Sequence, residues 1–130
     1  RELHQIPETG YQEKKTAAKI CEFLDQLKVP YRTDVGGTGV VARLKATKTG
    51  PLVAFRADMD ALPLEEANDV PYKSQHPGKM HACGHDGHVT IALGIMRRLQ
   101  EQGWLENGCG EILFFFQPVS FKPPAVSKRY

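Results

Sequence analysis

The stretch Ile112-Leu113-Phe114-Phe115-Phe116 is the longest uninterrupted apolar run in the sequence, and it constrains the fold more than any other feature. It is far shorter than the ~20 residues needed to span a bilayer, so no membrane partner is expected. A short apolar run without alternation suits a strand buried inside a sheet. Leu52-Val53-Ala54-Phe55 has the same character and reads as a second strand, buried on both faces. The 130 residues allow one domain. A core of that size can bury roughly two-thirds of the unfolded surface.

Between these runs the period changes. From Thr9 to about Lys28, Ala17, Ile20, Cys21, Leu24 and Leu27 recur at spacings of three and four, which is one face of a helix, with Pro30 as a stop. On that face Cys21 is a small core residue. Tyr31 to Val35 and Gly39 to Leu44 are short strands flanking Gly36-Gly37-Thr38-Gly39. That glycine cluster lacks the Lys-Ser/Thr and the following helix of a phosphate loop, so a tight hairpin is expected. Lys45 to Pro51 reads as a polar turn. A helix is expected from about Gly87 to Gln102, with Val89, Ala92, Leu93, Met96 and Leu99 inward and Gly103 closing it. Glu111 to Gln117 forms the last strand. Alternating strands and helices indicate an α/β fold, a sheet flanked by helices in three layers.

Composition narrows the function classes. Seventeen basic residues against fifteen acidic ones leave the charge near balance. The only basic cluster near an end, Ser127-Lys128-Arg129, is too small for a nucleic-acid footprint, so no nucleic-acid partner is expected. Three cysteines without close spacing argue against a disulfide framework and for a reducing compartment, read as the cytoplasm. Cys109, between two glycines, reads as an exposed loop thiol. The chain begins at Arg1 rather than Met, which fits a removed leader or a clipped start.

The chemistry is concentrated in two segments. His81-Ala82-Cys83-Gly84-His85-Asp86-Gly87-His88 packs three imidazoles, a thiol and a carboxylate ahead of a helix. Imidazole and thiolate suit borderline-soft divalent metals. A turn at Gly84 brings Cys83 and His85 onto one metal or two neighbouring ones, and His85 and His88 share a face once the helix has begun. A histidine-rich helix cap that binds nothing is the plainer alternative. Asp58 and Asp60 stand at the C-terminal end of the Leu52–Phe55 strand, where open α/β sheets place their sites. A carboxylate there can fix the tautomer of a metal-binding histidine; a solvated acidic turn is the alternative.

Together these segments resemble the amidohydrolase branch of the aminoacylase/carboxypeptidase metallopeptidase family. That branch includes hippurate hydrolases, N-acetyl-diaminopimelate deacetylases and hydrolases of indole-acetyl amino acids. The matching stretches are Leu3-His4-Gln5-Ile6-Pro7-Glu8, Thr38 to Ala42, Phe55-Arg56-Ala57-Asp58-Met59-Asp60-Ala61-Leu62-Pro63, Met80 to His88, and Ile112 to Pro118. The resemblance implies residues 1–118 are the N-terminal portion of a binuclear catalytic domain. Its cofactor would be two divalent ions, Zn, Mn, Co or Ni, and its substrate a small N-acyl amino acid. Cys83 and His85 match the first two metal ligands, with Cys83 as the bridge. Asp60 matches the catalytic carboxylate that supports the site, Asp58 falls where related branches place a ligating histidine, and His81 and His88 lie just outside the ligand set.

The pattern departs after Pro118. The family continues with Ala-Glu-Glu, a general base followed by a ligand, whereas this chain reads Val119-Ser120-Phe121-Lys122-Pro123-Pro124. Residues 119–130 are expected to form an atypical, poorly ordered tail, arising from a frameshift, a retained intron or a truncated gene model. Two functions follow: hydrolysis of N-acyl amino acids, with doubtful turnover by this chain, or a catalytically silent metal-binding or interaction fragment prone to self-association. A Cys-His nucleophile built on Cys83 would need a base oriented by a third group, and the two acids at the neighbouring strand end suit metals better.

Overall fold

The computed structural model describes residues 1–119. Its elements are α1 (Glu2–Gln5), α2 (Lys14–Gln26), β1 (Tyr31–Val35), β2 (Gly39–Lys45), β3 (Lys48–Asp58), α3 (His85–Glu101), α4 (Trp104–Asn107) and β4 (Cys109–Gln117). The four strands form one sheet in the order β1-β2-β4-β3. β1 and β2 make the expected hairpin. β4 runs antiparallel to β2 and parallel to β3, so α3 lies in the crossover between two parallel neighbours.

The inner sheet face is written in the register. Val40 pairs with Phe116 and Ala42 with Phe114 across β2 and β4, and Ala57 of β3 lies opposite Phe116. These residues and Leu44 are buried against Ile20 and Leu24 of α2 and against Val89, Ala92, Leu93 and Met96 of α3. Both helices therefore cover the same face, because their apolar stripes have only that surface to bury against. Of the three layers expected, the described residues supply the sheet and one helical layer.

Two strand expectations need correction. β3 is not buried on both faces: Leu52 is 64% and Val53 51% exposed. The cause is topological, since β3 is the last strand in the sheet order and no described helix covers the outer face. Nor is Lys45–Pro51 a turn, for β3 already begins at Lys48, which pairs with Cys109. The pairing passes through an irregularity between Lys48 and Leu52. There the Gly50 and Gly110 backbones approach so closely that a side chain on Gly110, at φ +85°, would strike Pro51. Cys109 is accordingly the exposed first residue of a strand rather than part of a turn.

α2 starts five residues later than its periodicity suggests. The carboxylate of Glu8, six residues upstream of the first helical residue, accepts the Lys15 N–H at 3.1 Å and the Thr16 N–H at 2.8 Å. The free donors of the first turn are thus satisfied from outside the helix. At the other end Val29 N–H reaches Leu24 O and Lys28 N–H reaches Asp25 O, both at 3.0 Å. This is a Schellman closure with Lys28 in the left-handed region at φ 55°. The stop is made two residues before Pro30. α3 ends as its sequence suggests, with Gly103 at φ 69° beyond the C-cap. Among the described residues no helix is long and apolar enough to cross a membrane. The poorly ordered tail expected over residues 119–130 lies, beyond Val119, outside the described residues.

Candidate metal centre

Three local devices bring residues 58–60 and 81–88 together. β3 ends at Asp58, and the next residues stay pinned: Met59 N–H bonds Gln117 O at 3.0 Å and Ala61 N–H bonds Glu8 O at 2.8 Å. The proline-containing loop that follows is closed at its base by two backbone bonds between Leu62 and Met80, at 2.9 and 3.0 Å. His81 is thereby returned to the strand end. Gly84, at φ 80°, then reverses the chain and admits α3 at His85, two residues earlier than expected.

The outcome is a compact donor group. His85 Nδ1 faces the backbone oxygen of Asp60 at 2.8 Å and its carboxylate at 3.0 Å. Two acceptors require a proton on Nδ1, so in the neutral imidazole it is Nε2 that carries the lone pair. That nitrogen lies 4.0 Å from Asp58 Oδ2, and His88 Nδ1 lies 3.9 Å from the same oxygen. Asp58, His85 and His88 each offer one ligand atom, all within 4.8 Å of one another. Metal–donor bonds of about 2.0–2.2 Å would require these three donors to draw slightly closer together to share one ion. Asp58 divides its oxygens: Oδ1 binds the Arg56 guanidinium and Oδ2 faces the imidazoles. His85, Asp58 and Asp60 are largely sheltered, whereas the His88 side chain is half exposed at the rim.

The other sequence candidates fall elsewhere. Cys83 is exposed in the turn before Gly84 and is not in the donor group. His81 is 4% exposed, and neither ring nitrogen has a hydrogen-bond partner among the described residues. Burial pushes its pKa below the ordinary histidine value and keeps the ring neutral, despite the opposing charges of Asp86 and Asp60.

A second cluster, unassigned in the sequence reading, lies behind the first. His4 stands between Asp86 and Glu66. Burial works against its charge, but hydrogen bonds to Glu66 and Asp86 outweigh that and raise its pKa above 6.5. Glu66 is held below its usual range, first by the Ser74 N–H and, against its burial, by His4 and Asn68. Only the place of His4 within the family-like stretch Leu3-His4-Gln5-Ile6-Pro7-Glu8 could have drawn attention to it.

Fold and site together define a mixed α/β protein with a carboxylate–imidazole donor group, able to hold a metal ion, at the C-terminal end of a parallel strand pair. The chain belongs to peptidase family M20/M25/M40, whose pattern matches residues 54–119. It is 50% identical over 101 residues to a putative amidohydrolase, YhaA, of Bacillus subtilis, covering 78% of this chain and 26% of that protein. It is 41% identical over 124 residues to an N-acetyldiaminopimelate deacetylase of Listeria monocytogenes, covering 95% of this chain and 32% of the relative. Among solved structures it resembles Bacillus subtilis YXEP, described as a dinuclear metal-binding peptidase of the M20 family. That match has a TM-score of 0.81 and 39% identity, covering 90% of this chain and 33% of the other. A putative aminohydrolase from Staphylococcus aureus gives a TM-score of 0.84 at 36% identity, covering 95% and 32%. The chain thus spans 26–32% of the length of these curated relatives.

Proposed function

We propose that this chain is the N-terminal metal-holding portion of a metal-dependent amidohydrolase that cleaves N-acyl amino acids. The observation that carries the reading is the convergence of Asp58, His85 and His88, with Asp60 fixing the His85 tautomer. Their oxygen and imidazole donors fit a divalent ion of the Zn, Mn, Co or Ni group. The kinship to amidohydrolases and to a dinuclear M20 peptidase supports two ions in the whole enzyme, with Cys83 as a ligand toward the second. When bound, divalent ions supply Lewis acidity toward the amide carbonyl and toward water.

The chain's own residues have distinct tasks in this reading. Asp60 holds the Nδ1 proton of His85 and leaves Nε2 free for a metal. Arg56 occupies one oxygen of Asp58 and offsets its charge, leaving the other oxygen for the centre. His88, at the rim, closes the donor set on the solvent side. No carboxylate stands at positions 120 and 121, where Ser120 and Phe121 replace the expected Glu-Glu pair, so the general base is missing, an assistance typically worth about 10²–10⁴ in rate. This chain therefore holds metal with little turnover of its own. The free thiols Cys21, Cys83 and Cys109 suit a reducing, cytoplasmic location.

A second reading, an inactive interaction fragment that self-associates, is favoured by one observation. The terminal strand β3 leaves Leu52 and Val53 exposed. Metal analysis of the purified chain and of its His85→Ala and Cys83→Ala variants, together with assays on a panel of N-acyl amino acids, tests both. Metal lost in His85→Ala supports the centre. A wild-type chain that retains no divalent ion overturns it.

A further inference from the structure

The ligand-bearing turn is held from behind by a residue far away in sequence. α3 starts at His85 after Gly84, and no side chain caps its first N–H groups. The orientation of its first turn therefore depends on what grips its side chains. Asp60 grips His85, as described. The second grip comes from His4 in α1, whose Nδ1 lies 2.7 Å from Asp86 Oδ2 and whose Nε2 lies 3.1 Å from Glu66 Oε1.

Carboxylates on both ring nitrogens require both to carry hydrogen, so His4 bridges as an imidazolium. The bridge is sheltered, with side-chain exposures of 15% for His4, 20% for Asp86 and 0% for Glu66. Its far end is fixed: Glu66 also accepts the Ser74 N–H at 2.7 Å and the Asn68 amide at 3.2 Å. The edge of Tyr72 packs against the His4 ring at 5.6 Å. Asp86 directly follows His85 and lies two residues before His88. Any rotation of the first turn that breaks its contact with His4 swings both imidazoles relative to Asp58.

We infer that His4 is a positioning residue for the metal centre: through Asp86 it holds the first turn of α3 so that His85 and His88 converge on Asp58. This rests on the metal reading above.

The test is titration of the wild-type chain and of His4→Ala, His4→Gln and Asp86→Asn with Zn(II) and Co(II). Affinity is read by calorimetry and ligand geometry by the Co(II) absorption bands. Outer supports of metal ligands are typically worth about 10–100-fold in affinity. A loss of that size is expected in His4→Ala and Asp86→Asn, with altered Co(II) bands. Partial recovery is expected in His4→Gln, whose amide can still donate to one carboxylate. Wild-type affinity and unchanged bands in either folded variant overturn the inference, so Asp86→Asn decides it if His4→Ala does not fold. Weaker binding with unchanged Co(II) bands, matched only by lost thermal stability, marks a structural role and also overturns it. A wild-type chain that binds neither ion removes the centre and this inference together. Equal binding by wild type and His4→Ala removes the inference alone.

Discussion

Asp60 accepts the Nδ1 proton of His85 twice, through its backbone oxygen at 2.8 Å and its carboxylate at 3.0 Å. The backbone contact survives any substitution at position 60, whereas the carboxylate contact does not. Asp60→Ala should therefore weaken metal binding by about 10-fold, toward the lower end of the range for such supports. Calorimetric titration with Zn(II) checks the size of the loss. An Asp60→Ala chain with undiminished affinity would show that the backbone oxygen alone sets the tautomer.

Stability should depend on pH through His4, which faces Glu66 and Asp86, with His81 and Tyr72 beside it. Its pKa is raised above 6.5 in the folded chain, so the folded state binds the proton more tightly than the unfolded one. The His4 contribution is then fully present below 6.5 and is lost as pH rises through the elevated folded value. Glu66 works in the opposite sense. Its lowered pKa gives a contribution present above 4.5 and lost as pH falls through the depressed value. Urea denaturation of metal-free chain across this range should show both flanks. His4→Ala should flatten the alkaline one.

Lys28 closes α2 in the left-handed region at φ 55°. A side chain in that region costs about 1–2 kcal/mol relative to glycine, partly offset by the greater freedom glycine has when unfolded. Lys28→Gly should stabilise the chain by about 0.5–1 kcal/mol, raising Tm by several degrees. Thermal denaturation followed by circular dichroism reads this directly, and a lowered Tm would contradict the assignment of strain to Lys28.

Gly110 combines φ +85° with contact against the Pro51 backbone. Gly110→Ala should therefore destabilise by more than the ~1 kcal/mol of the dihedral alone, because β3 and β4 must separate at their irregular start. The companion substitution Gly84→Ala has open space around the added methyl and should show only the dihedral cost. Equal losses in the two variants would mean that the approach of β3 to β4 can relax.

Apolar period and motif spacing carried much of this fold. Ile20 and Leu24 of α2, and Val89, Ala92 and Met96 of α3, fall where a 3.6-residue period puts them, since each helix has one face to bury. β3 misled because an apolar run reports composition and not neighbours: Leu52 and Val53 are exposed through strand order, a non-local property. At the centre, Asp58, Asp60 and His85 were legible from their places beside a strand end and a helix start. The approach of His88 to Asp58 needed the actual helix start. His4 and Glu66 were not legible, because an 82-residue separation between His4 and Asp86 leaves no local pattern.

The sheet order also governs how this chain assembles during synthesis. β2 and β3 are consecutive in sequence, yet they are not neighbours, and β4 must slot between them after the other described strands have been made. Until Cys109–Gln117 emerges, the β1–β2 hairpin and β3 have no shared partner, and the inner surfaces of α2 and α3 have only part of their floor. A nascent chain therefore keeps apolar surface uncovered almost to its final described strand, and then closes in one long-range step of the kind that slows folding.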